Sequence, residues 1–329
     1  MTLPSTPPTM FAWISEAKGL AGLRLAEIAV PRPGPGEVLL RVEAAALNFS
    51  DILMVDDAYQ VRPPRPFVPG QEVAGTVVAA GPNCGLKSGA RMAGKVNWGG
   101  FAAYATMRAD MAMELPEALS FAEGAAVPVS YTTAAVALGE SARLAAGETV
   151  LVLAAAGGVG LAAVQIARRR GARVIAACSA GKIALAEAQG VDLAVDYDGP
   201  DWSARVRAAA PEGVDVVLDP VGGAFADAAL RLLGWQGRYL VVGFASGEIP
   251  KLPANRLLMK RASAIGVYWS HDRDGAMLAR LQREIMAMFA LGETRPPLGA
   301  GYPMAALPQA LADLAGRRSH GKLILEPSA

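Results

Sequence analysis

The pattern of apolar and polar positions changes along the chain. Up to about residue 125 it predicts short strands, at 37–43, 72–80 and 101–107, separated by connections rich in Pro and Gly such as PRPGPG at 31–36. Short apolar runs broken by these residues are typical of a compact, barrel-like β domain and not of a parallel sheet.

From about Val127 onward, continuous apolar runs alternate with amphipathic ones. The predicted strands are 149–154, 173–178, 193–197, 214–220, 238–244 and 263–269, and the predicted helices are 159–171, 182–190, 202–210 and 225–233. This alternation predicts a doubly wound parallel sheet, an α/β fold. A helix at 276–292 and a strand in GKLILEP (321–327) follow, and we expect that strand to return to the first domain.

Composition and charge exclude several classes of protein. A chain of 329 residues with 53% hydrophobic side chains is long enough for two domains. The 31 basic and 30 acidic side chains give a net charge of +1, which argues against a nucleic-acid partner. Cys84 and Cys178 form no CxxC pair, and the amino terminus MTLPSTPPTM has no secretory pattern. The apolar segment 149–164 is short and broken by glycines, so we predict a cytoplasmic protein with no membrane partner.

The segment from Ala154 to Gly160 has the features of a dinucleotide-binding turn. Aligned with the GxGxxG fingerprint, it has Ala155 in the first position, followed by Gly157 and Gly160. Gly157 would let the backbone approach a pyrophosphate, and Gly160 would let helix and strand pack closely. A helix beginning near Val159 would direct its free N–H groups at the phosphates. The alternative is an ordinary tight turn.

The end of the second predicted strand favours NADPH. NAD sites usually carry a carboxylate there, whereas this chain has Ala177-Cys178-Ser179-Ala180-Gly181-Lys182. Ser179 and Lys182 could bind the 2′-phosphate of NADPH. The alternative for Lys182 is a solvated lysine at the start of a helix.

Several motifs follow one another along the chain: NFSD (48–51), FVPGQEVAG (67–75), PVSYTTA (128–134), AAAGGVG (154–160), DPVGG (219–223), GFASGEIP (243–250), GVYW (266–269) and GRRSHGKLIL (316–325). In sequence and order they resemble the motifs of the zinc-independent quinone oxidoreductases of the medium-chain dehydrogenase/reductase superfamily. The resemblance implies a GroES-like catalytic domain formed by 1–126 and 270–329, and a Rossmann domain at 127–269. It also implies NADPH in the cleft between them and a homodimer formed through the strand around 263–269.

The resemblance also implies cofactor contacts. They are Thr133 near the nicotinamide, Gly157, Gly158 and Val159 at the pyrophosphate, Ser179, Lys182, Tyr197 and Arg317 around the ribose phosphate, and Gly243, Phe244, Ser246, Val267 and Trp269 along the crevice. Tyr197 could equally be a packed aromatic side chain. Arg317 could be solvated, and Arg318 could serve in its place.

A catalytic zinc is not expected. Zinc alcohol dehydrogenases of the superfamily carry Cys and His where this chain has Asn48 and Gln71, and amides are poor zinc ligands. The two histidines, His271 and His320, lie far from these positions in sequence. Direct alcohol dehydrogenation, which uses a metal to acidify the hydroxyl, is therefore disfavoured.

Without a metal, the easier chemistry is hydride transfer to a conjugated carbon, with the charge developing on oxygen. Asn48 could donate to that oxygen, or it could be a structural amide. Tyr59 could orient the substrate or relay a proton, or it could be an aromatic side chain of a loop. The family often has a tyrosine where this chain has Leu53, so water could supply the proton. We predict an NADPH:quinone oxidoreductase. The alternatives are a C=C reductase of enones, enoyl thioesters or acrylate-type substrates, and a non-catalytic, crystallin-like NADPH-binding protein.

Overall fold

The computed structural model describes residues 6–292 and 294–327. The first five residues, which carry part of the amino-terminal pattern discussed above, lie outside the described residues. The chain divides into two compact units. One extends to Val129 and resumes at His271, and the other is Ser130–Ser270.

The first unit is built mainly from antiparallel strands. Its elements up to Val129 are β1 (Thr9–Ser15), β2 (Leu23–Ala29), β3 (Glu37–Ala46), α1 (Phe49–Val55), β4 (Glu72–Ala80), β5 (Arg91–Lys95), β6 (Tyr104–Arg108), β7 (Ala112–Glu114) and α2 (Phe121–Ala125). β3 pairs with β4 and also with β6. The predicted strand at 101–107 begins only at Tyr104, because Ala102 instead forms a bridge with Ala12 of β1.

The second unit contains the predicted α/β series. Its elements are α3 (Ser130–Ala135), β8 (Thr149–Leu153), α4 (Gly158–Arg169), β9 (Arg173–Cys178), α5 (Ile183–Glu187), β10 (Leu193–Asp196), α6 (Trp202–Ala209), β11 (Val214–Asp219), α7 (Ala224–Leu232), β12 (Leu233–Val241), α8 (Ala254–Lys260) and β13 (Ser263–Gly266). The strands form one sheet in the order β10-β9-β8-β11-β12-β13, and every neighbouring pair is parallel. The predicted doubly wound sheet is confirmed.

The end of the chain completes the first unit. It forms α9 (His271–Ala290), β14 (Leu298–Pro303), α10 (Leu307–Ala315) and β15 (Lys322–Glu326). β15 pairs antiparallel with β3, with Ile324 opposite Ala46, and so the last strand belongs to the β-rich unit. Trp13 ties this return to the amino-terminal part, because its indole N–H donates to the backbone oxygen of Met304 at 2.7 Å.

The apolar segment 149–164 is the centre of the second unit. It comprises β8, a turn and the first half of α4, and most of its side chains are buried. Among the described residues, no helix has the length and apolar character needed to cross a membrane.

Candidate nucleotide and substrate sites

The turn between β8 and α4 has the geometry expected of a dinucleotide-binding turn. Gly157 is the N-cap of α4, and its backbone N–H donates to the oxygen of Ala154 at 2.9 Å. Gly158 and Val159 form the first turn of the helix, where backbone N–H groups have no acceptor within the helix. No acidic side chain occupies this first turn. The turn therefore offers free donors and a positive dipole end to an anion.

Gly160 brings the helix close to the strand. A Cβ at this position would lie 2.2 Å from the oxygen of Ala154 and 2.7 Å from Cα of Ala155. Both are backbone atoms, so no side-chain rotation could relieve the overlap. Gly160 thus has the close-packing role assigned to the third glycine of the fingerprint.

Two opposite charges lie near the end of β9. Ser179 follows the strand, and its backbone oxygen accepts from the N–H of Lys182 at 2.9 Å. The pKa of Cys178 is raised to about 11, mainly by burial; the charge of Lys182 opposes this shift, and the charge of Asp196 adds to it. Asp196 is in register with Cys178 on the neighbouring strand β10. A phosphate bound by the ammonium of Lys182 would thus have the carboxylate of Asp196 on the neighbouring strand, which the sequence pattern alone did not indicate.

Tyr197 packs against a second aromatic side chain. It follows β10, and its ring lies 4.6 Å from that of Phe225, centroid to centroid. Its backbone N–H donates to the oxygen of Cys178 at 3.1 Å. These contacts support the packed-aromatic interpretation, and contact with a nucleotide stays a prediction.

A buried pair organises the loops after β11 and β12. The hydroxyl of Tyr239 donates to Oδ2 of Asp219, and Oδ1 of Asp219 accepts from the backbone N–H groups of Val221 and Gly222 at 2.7 and 2.9 Å. The Asp219 backbone oxygen also accepts from Gly243 at 3.3 Å. This arrangement fixes the loop that carries Phe244 and Ser246 at the carboxyl edge of the sheet, where doubly wound folds bind ligands.

Four further predicted cofactor contacts lie in two different units, three in the second unit and one in the first. Val267 continues the pairing of β13, since its N–H donates to the oxygen of Val241 at 2.9 Å. The indole N–H of Trp269 donates to the Thr133 hydroxyl oxygen at 3.1 Å. Arg317 belongs to the first unit, where it is exposed after α10 with a φ of 56°. Its contact with a cofactor stays a prediction.

Asn48 is part of a buried charged network in the first unit. Its Nδ2 donates to Glu72 Oε2 at 2.9 Å and to the oxygen of Ala46 at 3.4 Å, and its Oδ1 accepts from Lys322 Nζ at 2.6 Å. Lys322 also forms a 2.7 Å ion pair with Glu72, whose other oxygen accepts from the N–H of Val129 at 2.7 Å. Both amide N–H groups of Asn48 thus have acceptors, which favours the structural alternative that the sequence left open. Its donation to a substrate stays a prediction.

Asp51 lies at the edge of the same network. Its Oδ2 accepts from the backbone N–H of Asn48 at 2.8 Å, but its fully buried Oδ1 has no hydrogen-bond partner among the described residues. Burial raises the pKa of Asp51 to about 7, against the opposing effects of the Asn48 hydrogen bond and the charge of Lys322. The carboxyl group therefore takes up a proton near neutral pH.

The free energy of unfolding should fall as the pH rises because Asp51 is buried and must lose its proton. We expect Asp51→Asn, which has no proton to lose, to be free of this fall. The folded protein holds the Asp51 proton up to about pH 7, whereas an unfolded chain releases it near 3.8, so the stability falls across this window. A difference of this size corresponds to roughly 4 kcal/mol above pH 7. The thermal midpoint of Asp51→Asn should therefore rise relative to the unsubstituted protein between pH 5 and pH 8. Exposed Asp198→Asn serves as the control, and parallel pH curves for all three proteins would contradict the expectation.

Tyr59 lies in the segment that follows α1. The side chain is half-buried, and the backbone N–H donates to the oxygen of Leu53 at 3.1 Å. The Tyr59 backbone oxygen accepts from Arg62 Nε at 3.3 Å. These contacts hold the loop in place, and a role for the hydroxyl toward substrate stays a prediction.

The side chains where zinc dehydrogenases carry ligands do not fit a zinc ion. The amide of Asn48 is bonded to Glu72 and Lys322, and Gln71 Oε1 accepts from the Ser50 hydroxyl. The ammonium of Lys322 would repel a divalent cation at this place. Within residues 6–292 and 294–327, no group of three or more His, Cys, Asp or Glu side chains is arranged to hold a metal ion.

Sequence reasoning missed the partners that complete these sites. Glu72 and Lys322 are 0% and 6% exposed, respectively, although each begins a strand and resembles an ordinary solvated residue. The sequence feature that could have indicated their burial is a charged residue at the start of an apolar run, EVAGTVV for Glu72 and KLIL for Lys322. Asp219 and Tyr239 carried a similar signal, since both are polar residues within predicted buried strands.

Comparison with known proteins agrees with this fold. Residues 34–117 match the alcohol dehydrogenase GroES-like domain, and residues 158–283 match the family described as zinc-binding dehydrogenase. The chain belongs to the medium-chain dehydrogenase/reductase superfamily, among the quinone oxidoreductase-like proteins. It is an NAD(P)-dependent oxidoreductase.

Individual relatives cover nearly the whole chain. The chain is 37% identical to quinone oxidoreductase-like protein 2 of Mus musculus, over 92% of its own length and 88% of the relative. It is 36% identical to the quinone oxidoreductase of Thermus thermophilus, solved alone and with NADPH (TM-score 0.84, covering 97% and 100% of the two chains). It is also 29% identical to a solved NAD-dependent alcohol dehydrogenase (TM-score 0.89, covering 97% and 100%). The fold is therefore shared by proteins that use different nicotinamide cofactors.

Proposed function

We propose that this protein transfers hydride from NADPH to a quinone without zinc. The observation that carries the proposal is the β8–α4 turn with free N–H donors, followed at the end of β9 by Ser179 and Lys182 in place of a carboxylate. A bound NADPH would supply the hydride. The chain would bind the pyrophosphate at Gly157–Val159 and the ribose phosphate near Ser179 and Lys182.

A quinone is the favoured acceptor for two reasons. One similar protein is named quinone oxidoreductase-like protein 2, and another is named quinone oxidoreductase. Lys322 also occupies the space between Asn48 and Glu72 with a positive charge, which disfavours metal-assisted alcohol chemistry there. In this proposal Asn48 stabilises the buried network through its hydrogen bonds with Glu72 and Lys322. The Tyr59 hydroxyl donates to the substrate oxygen that gains negative charge.

A substrate panel tests the acceptor class. Quinones such as 1,4-naphthoquinone should show higher kcat/KM with NADPH than enones or enoyl thioesters, and a chelator should leave the rate unchanged. Higher values for enones or thioesters would replace quinone reduction by C=C reduction. Tight NADPH binding without turnover of any acceptor would favour the non-catalytic alternative. Stoichiometric zinc with activity lost on chelation would overturn the zinc-free proposal.

The choice of NADPH is tested at Lys182. A charge-assisted hydrogen bond contributes about 1.5–3 kcal/mol, so Lys182→Ala should raise the KM for NADPH roughly tenfold to a hundredfold and leave that for NADH nearly unchanged. Exposed Lys251→Ala is the matched control. Equal effects on both cofactors would remove this argument for NADPH, and Asp196→Asn would then show whether the nearby carboxylate governs the preference.

We also propose a homodimer in the cytoplasm. β13 is an edge strand of the parallel sheet, and large apolar side chains near it are exposed, namely Leu258 at 79%, Met259 at 75% and Tyr268 at 69%. A free edge next to exposed apolar side chains suits pairing with a second copy. Sedimentation equilibrium should give twice the chain mass.

Both Cys84 and Cys178 are free thiols, which suits a reducing compartment.

A further inference from the structure

The hydrogen bond between Trp269 and Thr133 joins two distant parts of the second unit. Trp269 stands three residues beyond the end of β13, and Thr133 lies in α3. The indole N–H donates to Thr133 Oγ1 at 3.1 Å, and both side chains are half-buried. The contact thus sits where solvent or a ligand can reach it.

The strand order places this pair on the nicotinamide side of the sheet. In doubly wound sheets a dinucleotide lies across the carboxyl ends of the strands, at the point where the strand order reverses, here between β8 and β11. The adenosine half extends over β9, the strand that carries the ribose-binding position. The other half then extends over β11, β12 and β13. Trp269 follows β13 and brings Thr133 to that same edge.

The hydrogen bond from Trp269 determines whether the Thr133 hydroxyl acts as a donor or an acceptor toward a ligand. An indole N–H can only donate, so it occupies a lone pair of the Thr133 oxygen. Among the described residues, none of the hydrogen bonds uses the Thr133 hydroxyl proton. The hydroxyl is therefore set to donate to an acceptor at this edge of the sheet, and the carboxamide oxygen of nicotinamide is such an acceptor.

We propose that Trp269 is a positioning residue that holds the Thr133 hydroxyl as a donor to the carboxamide oxygen of the cofactor. The hydrogen bond fixes the rotation of the carboxamide and hence the position of the ring that carries the hydride. The inference rests on the proposed function only in requiring a nicotinamide dinucleotide at the β8–α4 turn.

Calorimetry with oxidised cofactors tests the proposal without turnover. Thr133→Val, which removes the hydroxyl but keeps the shape, should weaken NADP⁺ binding about threefold to tenfold. Trp269→Phe should weaken it about twofold to fivefold, since the hydroxyl remains but is no longer oriented. The double variant should bind like Thr133→Val, because Trp269 acts through Thr133. Thionicotinamide NADP⁺, whose sulfur is a poor acceptor, should bind all these proteins with the same affinity.

Trp235→Phe is the matched control, since Trp235 is 67% exposed in the same unit. It should change neither affinity. Circular dichroism verifies that each variant is folded. Multiplied effects in the double variant, or equal losses for NADP⁺ and the thio analogue, would show a merely structural role and overturn the inference. If the unsubstituted protein binds neither NADP⁺ nor NAD⁺, the proposed function itself fails and the inference falls with it. If it binds only NAD⁺, the same variants are measured with NAD⁺ and thionicotinamide NAD⁺, and the same outcomes support or overturn the inference.

Discussion

Gly160→Ala should abolish nucleotide binding and loosen the second unit. The added Cβ would lie 2.2 Å from a backbone oxygen of the β8–α4 turn, so α4 must move away from the strand. Overpacking against rigid backbone should cost about 3 kcal/mol or more. The displaced helix would also no longer present its first N–H groups where the pyrophosphate binds. Calorimetry with NADPH should show at least a hundredfold weaker binding, and the thermal midpoint of this unit should fall.

Gly275→Ala is a suitable comparison for this change. It also adds one methyl group to a helical glycine, but nothing lies within 4 Å of a Cβ at that position. It should therefore bind NADPH normally. If Gly160→Ala retained NADPH affinity to within threefold, the close approach of helix and strand would not be needed for binding.

Lys322→Met should destabilise the first unit about as strongly. The change leaves the carboxylate of Glu72 fully buried and removes its ion pair, while Asn48 loses the donor to its Oδ1. Removing one member of a buried pair typically costs about 3–5 kcal/mol. Hydrogen exchange should accelerate in peptides from β3, β4 and β15, whereas β8 and β9 of the second unit provide an internal standard.

The paired variant separates charge from packing. Glu72→Gln combined with Lys322→Met removes both charges at nearly constant volume, and it should recover at least half of the lost stability. Lys87→Met, at an exposed lysine, should have little effect. A double variant less stable than Lys322→Met alone would show that the ion pair is not the source of the loss.

The two sites differed in how much could be predicted from sequence. The nucleotide turn is local: strand, glycines and helix follow one another within a few residues, and the structure has α4 beginning at Gly158, one residue before the expected start. Ser179 and Lys182 are also a local feature, because both follow the end of β9 within a few residues. The surroundings of Asn48 could not be predicted, since Glu72 and Lys322 are 24 and 274 residues away in sequence. Only the pairing of β15 with β3 brings Lys322 to Asn48.

The boundaries of elements show the same contrast. The predicted β9 has the observed limits, Arg173–Cys178, because a fully buried strand of a parallel sheet is apolar along its whole length. The predicted strand at 238–244 instead runs from Leu233 to Val241, because its ends depend on β11 and on the loop held by Asp219. Elements whose limits are set by distant partners are the ones that the pattern misplaces.

By itself, the sequence determined the α/β alternation, the glycine-containing turn between β8 and α4, and the absence of a carboxylate directly after β9, because periodicity and glycine geometry act over a few residues. The tertiary structure alone decided that Asn48 lies in a buried ion-pair network, that Asp196 and Lys182 both act on Cys178, and that Trp269 donates a hydrogen bond to Thr133. These features depend on side chains brought together by sheet order and strand return, and no local pattern records such distances.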